Sequence, residues 1–134
     1  MPEERTIPDT PTVVSKAATF GIGTMGALLV LSAAVQYNDP DPYAWLALYL
    51  AAAGVSFTAL WRPAAWKMPA AVAVVAFVWA ATLVPAAART SFPDLFQSWE
   101  MMSREMEEGR EFLGLLLVAS WTTYLAHLGR KAQQ

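Results

Sequence analysis

MPAAVAVVAFVWAATLVPAAA, residues 68–88, runs for 21 positions without a charged side chain and stops at Arg89. An α-helix rises about 1.5 Å per residue and a bilayer's hydrocarbon layer is about 30 Å thick, so about 20 apolar residues are enough to cross it. Working outward, three more stretches meet the same requirement: Ala17–Gln36, Tyr43–Trp61 and Phe112–Leu128. Ala17–Gln36 and Tyr43–Trp61 carry no charge, and in Phe112–Leu128 the titratable interior group short of tyrosine is His127. Pro85 sits near the end of its span, where a lost backbone hydrogen bond costs least.

Composition agrees with this reading. Of 134 residues, 56% are hydrophobic and 15% charged, against roughly 25% charged in a soluble domain. The absence of cysteine excludes disulfide frameworks, thiolate zinc sites, iron–sulfur clusters and cysteine nucleophiles. A net charge of −2 lacks the basic excess that a phosphate backbone demands, which argues against a nucleic-acid partner. The expected fold class is all-α: an integral membrane, antiparallel four-helix bundle whose first partner is the lipid bilayer.

Residues 1–16, with Pro2, Pro8 and Pro11, read as an extended tail with too few apolar groups to offset the entropy of ordering. The membrane domain is expected over 17–128 and a short C-terminal tail over 129–134. Ser32, Ala33 and Ala34 resemble a leader-peptide cleavage site, but the preceding segment sets Glu3, Glu4 and Asp9 against Arg5 and Lys16 and lacks the positive charge of a leader. The first span is therefore expected to be retained.

Lys and Arg in short flanks are held on the cytoplasmic side. The tails and the second loop contribute six (Arg5, Lys16, Arg62, Lys67, Arg130, Lys131) against Arg89, Arg104 and Arg110 on the other side. A multi-pass protein with both termini cytoplasmic is expected. Eight of the eleven carboxylates then converge on the outer face: Asp39, Asp41, Asp94, Glu100, Glu105, Glu107, Glu108 and Glu111. On that face Phe92, Leu95, Phe96, Trp99, Met102 and Met106 recur at spacings of three or four, the stripe of an amphipathic helix over about 92–107 lying on the membrane or packed on the bundle.

Gly21-Ile22-Gly23-Thr24-Met25-Gly26 spells a dinucleotide fingerprint, but no strand precedes it and no acidic ribose partner follows. Its glycines read instead as small residues that let helices approach. His127 alone makes a poor metal site. Trp45, Trp61, Trp66 and Trp99 fall near span ends as interface anchors. Trp79 and Trp121 fall at mid-depth, where an indole N–H needs a partner such as Ser56, Thr58, Ser120, Thr122, Thr123 or Tyr124.

The acidic outer cluster is the constellation with chemical potential: Asn38, Asp39, Asp41, Arg104, Glu107, Glu108, Arg110 and Glu111. Asn38-Asp39-Pro40-Asp41 is a turn by its chemistry, and Glu107-Glu108-Gly109-Arg110-Glu111 is expected to open the fourth span, where a helix N-terminus favours carboxylates. One reading is structural, with Arg110 or Arg104 reaching Asp39 or Asp41. The other gives Asp39, Asp41, Glu108 and Glu111 to a hard cation as oxygen ligands, although neither a calcium loop nor the Glu-x-x-His pair of a di-iron bundle is spelled. No nucleophile–base pair accompanies the carboxylates, and the spans carry no ionisable group at mid-depth for transport, so the sequence leans away from an enzyme or a transporter.

Gln36-Tyr37-Asn38-Asp39-Pro40-Asp41 followed by Trp45 and Tyr49, and later Glu107-Glu108-Gly109-Arg110-Glu111 with Gly114, Leu115 and Trp121, resembles the transmembrane protein 220 family. The resemblance runs from about Ala17 to Leu128 and implies a small four-span membrane protein without an activity to carry over. Two roles are expected from these readings. One is a non-catalytic accessory subunit docking onto other membrane proteins, with self-association open. The other is a standalone protein holding a cation or polar lipid headgroup at the outer acidic cluster, no other cofactor being expected.

Overall fold

The computed structural model describes residues 15–89, 93 and 104–134, the side chains of 104–106 excepted. Four helices follow in order: α1 (Lys16–Val35), α2 (Pro42–Trp61), α3 (Lys67–Ala87) and α4 (Arg104–Ala132), with a 3-10 turn, Gln36–Asn38, between the first two. All four are long and apolar enough to cross a membrane. The fold class expected from the sequence, an all-α membrane bundle, is the one observed.

Local chemistry sets the helix limits. Ser15 caps α1, its hydroxyl accepting from the Ala18 N–H at 3.2 Å, which satisfies one of the unpaired donors of the first turn. Pro42 takes the first position of α2, where its missing N–H costs nothing. Pro63 ends α2 because the residue before a proline is pushed out of helical torsions, and Arg62 sits at φ −131°, ψ 72°.

α4 departs from the sequence reading. It begins at Arg104, so Glu107-Glu108-Gly109-Arg110-Glu111 lies inside a continuous helix rather than at the opening of one. Arg104, Glu105, Met106, Glu107 and Glu108 are good helix formers and extend the apolar span backwards. Gly109 is buried, so its position is fixed by packing. With 29 residues the helix is about 43 Å long and projects beyond the hydrocarbon layer. The extended tail over 1–16, apart from Ser15 and Lys16, and the amphipathic helix over 92–107, up to the start of α4 and apart from Pro93, lie outside the described residues.

The bundle is two helical hairpins joined through α2. α1 packs along α2 and α3 along α4, while α2 touches α3 and α4 more lightly. The main core gathers Leu29 of α1, Trp45, Leu48, Ala52 and Ala53 of α2, Ala76 and Ala80 of α3, and Leu115, Val118 and Ala119 of α4. A smaller cluster joins Ile22, Val55 and Leu125. Alanine recurs because helices in lipid associate by close packing rather than by expelling water. Phe20, Leu31, Leu50, Val74, Val78 and Leu117 are exposed outward, as lipid-facing side chains are.

Buried hydroxyls are satisfied within their own helices: Ser56 donates to the Ala52 carbonyl at 2.8 Å and Thr122 to the Val118 carbonyl at 2.7 Å. Among the described residues no buried side-chain nitrogen or oxygen is left without a partner, as a medium without water requires. Of the three glycines in the first span, Gly26 bears the expected close approach: a Cβ there would stand 2.9 Å from the Phe57 ring. Among the described residues, nothing lies within 4 Å of that position at Gly21 or Gly23.

Candidate functional site

The antiparallel hairpins bring the end of α1, the start of α2 and the start of α4 together, and a cleft of about 200 Å³ forms there. Gln36 and Asp39 supply one wall, Trp45 and Tyr49 of α2 a second, and Glu107, Arg110 and Glu111 of α4 the third. The 3-10 turn delivers Asp39 to the rim: the Asp39 N–H donates to the Gln36 carbonyl at 2.9 Å, which folds the chain back before Pro40 stiffens it. On α4, Glu107, Arg110 and Glu111 fall at i, i+3 and i+4 and so share one face.

Trp45 is the hinge of the site. It is 6% exposed, so the reading of this residue as an interface anchor is overturned: the ring is part of the core. It packs against Trp79 of α3 with centroids 4.5 Å apart and against Tyr49 at 6.0 Å, and its indole interacts with Glu111 of α4. One aromatic stack therefore ties α2 to α3 and holds the innermost acid of the cleft on α4. Tyr49 reaches across to α4 as well, because Gly114 leaves room; a Cβ on Gly114 would stand 3.0 Å from the Tyr49 hydroxyl.

Glu111 is half-buried and lies in the field of Glu107, Asp39 and Glu108. Arg110 is the cation of the cleft wall and is engaged with a partner. The cleft thus offers three carboxylates, one guanidinium and two aromatic rings at the end of a membrane bundle. Among the described residues, no group of three or more His, Cys, Asp and Glu stands close enough together to hold a metal ion.

Four residues singled out from sequence, Asp39, Glu107, Arg110 and Glu111, line the cleft together. Asn38 and Asp41 are exposed beside it, Asp41 at the cap of α2 without a capping side-chain hydrogen bond. Glu108 acts on Glu111 through its charge and does not line the cleft. The side chain of Arg104 lies outside the described residues. The charge pattern missed Gln36, Trp45 and Tyr49; the signal for the aromatic pair was their spacing of four on α2, which places both on one helix face.

The opposite end of the bundle is organised by Trp66. A Cβ on Gly129 would lie 2.9 to 3.1 Å from the Trp66 backbone and Cβ, the Arg130 guanidinium lies 5.1 Å from the Trp66 ring, and the Gln133 side chain donates to the Ala64 carbonyl at 3.1 Å. The α2–α3 loop is in this way clamped to the end of α4.

A family model described as "Transmembrane family 220, helix" matches residues 28–127. The matched region contains every residue of the cleft and both aromatic contacts of Trp45. No solved structure matches the chain.

Proposed function

The chain belongs to transmembrane family 220, and on that footing we propose that it is a non-catalytic membrane protein whose cleft receives a zwitterionic lipid headgroup. The observation that carries this reading is the mixed lining of the cleft. Asp39, Glu107 and Glu111 would face an ammonium group, with the rings of Trp45 and Tyr49 in the same wall adding cation–π attraction. Arg110 would meet the phosphate, which a guanidinium recognises in forked geometry. A hydrated divalent cation fits less well, because the carboxylates are not gathered at ligand spacing. By the distribution of Lys and Arg, the acidic end with the cleft would face away from the cytoplasm.

A direct test compares phosphatidylethanolamine and phosphatidylglycerol retained by the full chain in mild detergent, by native mass spectrometry, with metal analysis of the same sample. The wild type should hold about one phosphatidylethanolamine and no stoichiometric metal. Glu111→Gln should weaken that retention by about tenfold, the effect of losing one charge-assisted hydrogen bond. Equal retention by the variant, or a bound metal in place of lipid, overturns the reading.

A second reading, an accessory subunit of a larger membrane assembly, is favoured by α1. Among the described residues that helix packs mainly along α2, and nothing stands within 4 Å of a Cβ built on Gly21 or Gly23, as on a helix awaiting a neighbour. Co-purification at defined stoichiometry from native membranes, lost on substitution of both glycines, is its test.

A further inference from the structure

The end of the bundle opposite the cleft carries Lys16, Arg62, Lys67, Arg130 and Lys131, all exposed, and no Asp or Glu side chain among the described residues accompanies them. Every described acidic side chain (Asp39, Asp41, Glu107, Glu108 and Glu111) belongs to the other end. Four of the five cations sit on one platform, because the contacts of Trp66 with Gly129 and Arg130, and of Gln133 with Ala64, fasten the α2–α3 loop to the end of α4.

The placement of two of these charges is unfavourable for the helices themselves. Lys16 and Lys67 open α1 and α3, neither of which has an acidic residue in its first turn. A helix N-terminus carries partial positive charge, so a lysine there adds repulsion unless an anion is close. Arg130 and Lys131, at the end of α4, suit their helix dipole and add to the same field. Trp66 beneath Arg130 and the exposed Trp61 next to Arg62 are side chains that settle at headgroup depth, which puts the cations level with lipid phosphates.

We propose that this basic platform, formed by the α2–α3 loop and the end of α4 with Lys16 beside it, is a docking surface for the anionic phospholipid headgroups of the leaflet that borders it. The surface is independent of the cleft: it lies at the other end of the molecule, and its described charged side chains are all cationic. Attraction of a cation next to an anionic leaflet is worth about fivefold in affinity per Lys or Arg.

The test uses the full chain in mild detergent, titrated with phosphatidylglycerol and, separately, phosphatidylcholine, with bound lipid counted by native mass spectrometry. The wild type should prefer phosphatidylglycerol. Arg62→Gln/Lys67→Gln/Lys131→Gln removes three charges and leaves the Arg130–Trp66 contact in place; its phosphatidylglycerol affinity should fall by about a hundredfold. Arg89→Gln, one charge fewer at the other end, should bind as the wild type does. Helicity by circular dichroism confirms that each variant is folded, and a millimolar excess of inorganic phosphate should not displace the lipid. Equal affinity for the two lipids, an unaffected triple variant, or an equal loss in Arg89→Gln overturns the proposal. Displacement by phosphate overturns it too, by reassigning the surface to free anions.

Discussion

The indole nitrogen of Trp121 lies 2.8 Å from the hydroxyl of Ser56, a bond between residues 65 positions apart that ties α4 to α2 in the middle of the bundle. Ser56 is fully buried and simultaneously donates to the Ala52 carbonyl. The hydroxyl therefore accepts from one helix while donating within its own, and the mid-depth indole is satisfied without water.

Ser56→Ala should destabilise the protein, because the indole N–H is then left without an acceptor. In the Trp121→Phe background the same substitution should cost less, since Ser56 retains its own backbone acceptor. A double-mutant cycle of unfolding in mixed micelles should give a coupling of about 0.5–1.5 kcal/mol. Additive costs would show that the bond contributes nothing.

Gly114→Ala places a methyl group 3.0 Å from the Tyr49 hydroxyl and should lower stability by about 1 kcal/mol through displacement of that ring. Removing the offending oxygen makes room, so Tyr49→Phe combined with Gly114→Ala should recover most of the loss. Thermal unfolding of the single and double variants checks this; no recovery in the double variant would place the strain elsewhere.

The glycines of α1 should separate by position. Gly26→Ala meets the Phe57 ring at 2.9 Å and should cost about 1–3 kcal/mol by forcing α1 away from α2. Gly21→Ala and Gly23→Ala meet nothing within 4 Å and should leave the stability of the isolated chain unchanged. If a neighbouring helix uses that face, those two variants alone should abolish co-purification while thermal unfolding of the isolated chain stays as in the wild type.

Trp45→Phe keeps an aromatic ring against Trp79 and Tyr49 but removes the indole N–H that interacts with Glu111. Loss of that polar contact should appear as weaker phosphatidylethanolamine retention with a smaller loss of thermal stability than in Trp45→Ala. Native mass spectrometry and thermal unfolding on the same samples separate the two effects. Equal behaviour of the Phe and Ala variants would mean that the stack, and not the indole N–H, holds Glu111.

What the sequence made legible follows from the physics of the bilayer. Uncharged runs such as 68–88 can be read one at a time, since each must satisfy its own backbone wherever its neighbours lie. The convergence of Asp39 with Glu107, Arg110 and Glu111 was readable too, because topology alone puts these span ends on one side. Trp45 was misread for a related reason: proximity to a span end does not say whether a ring points to lipid or to Trp79. Ser56 was among several partners suggested for the buried indoles, and choosing between them needed the rotation of α2 against α4. The start of α4 was misjudged because apolarity fades at Phe112, whereas helix propensity continues back to Arg104.

The self-sufficiency of Ser56 bears on how the bundle is put together. A hydroxyl that already has the Ala52 carbonyl within its own helix enters lipid without an outstanding debt of hydrogen bonding. The Ser56 hydroxyl is accordingly satisfied within α2 whether or not α4 is packed against it. Packing of Trp121 against it then adds a bond to a group that already has one, so the contact strengthens the bundle without being a condition for α2 to lie in lipid.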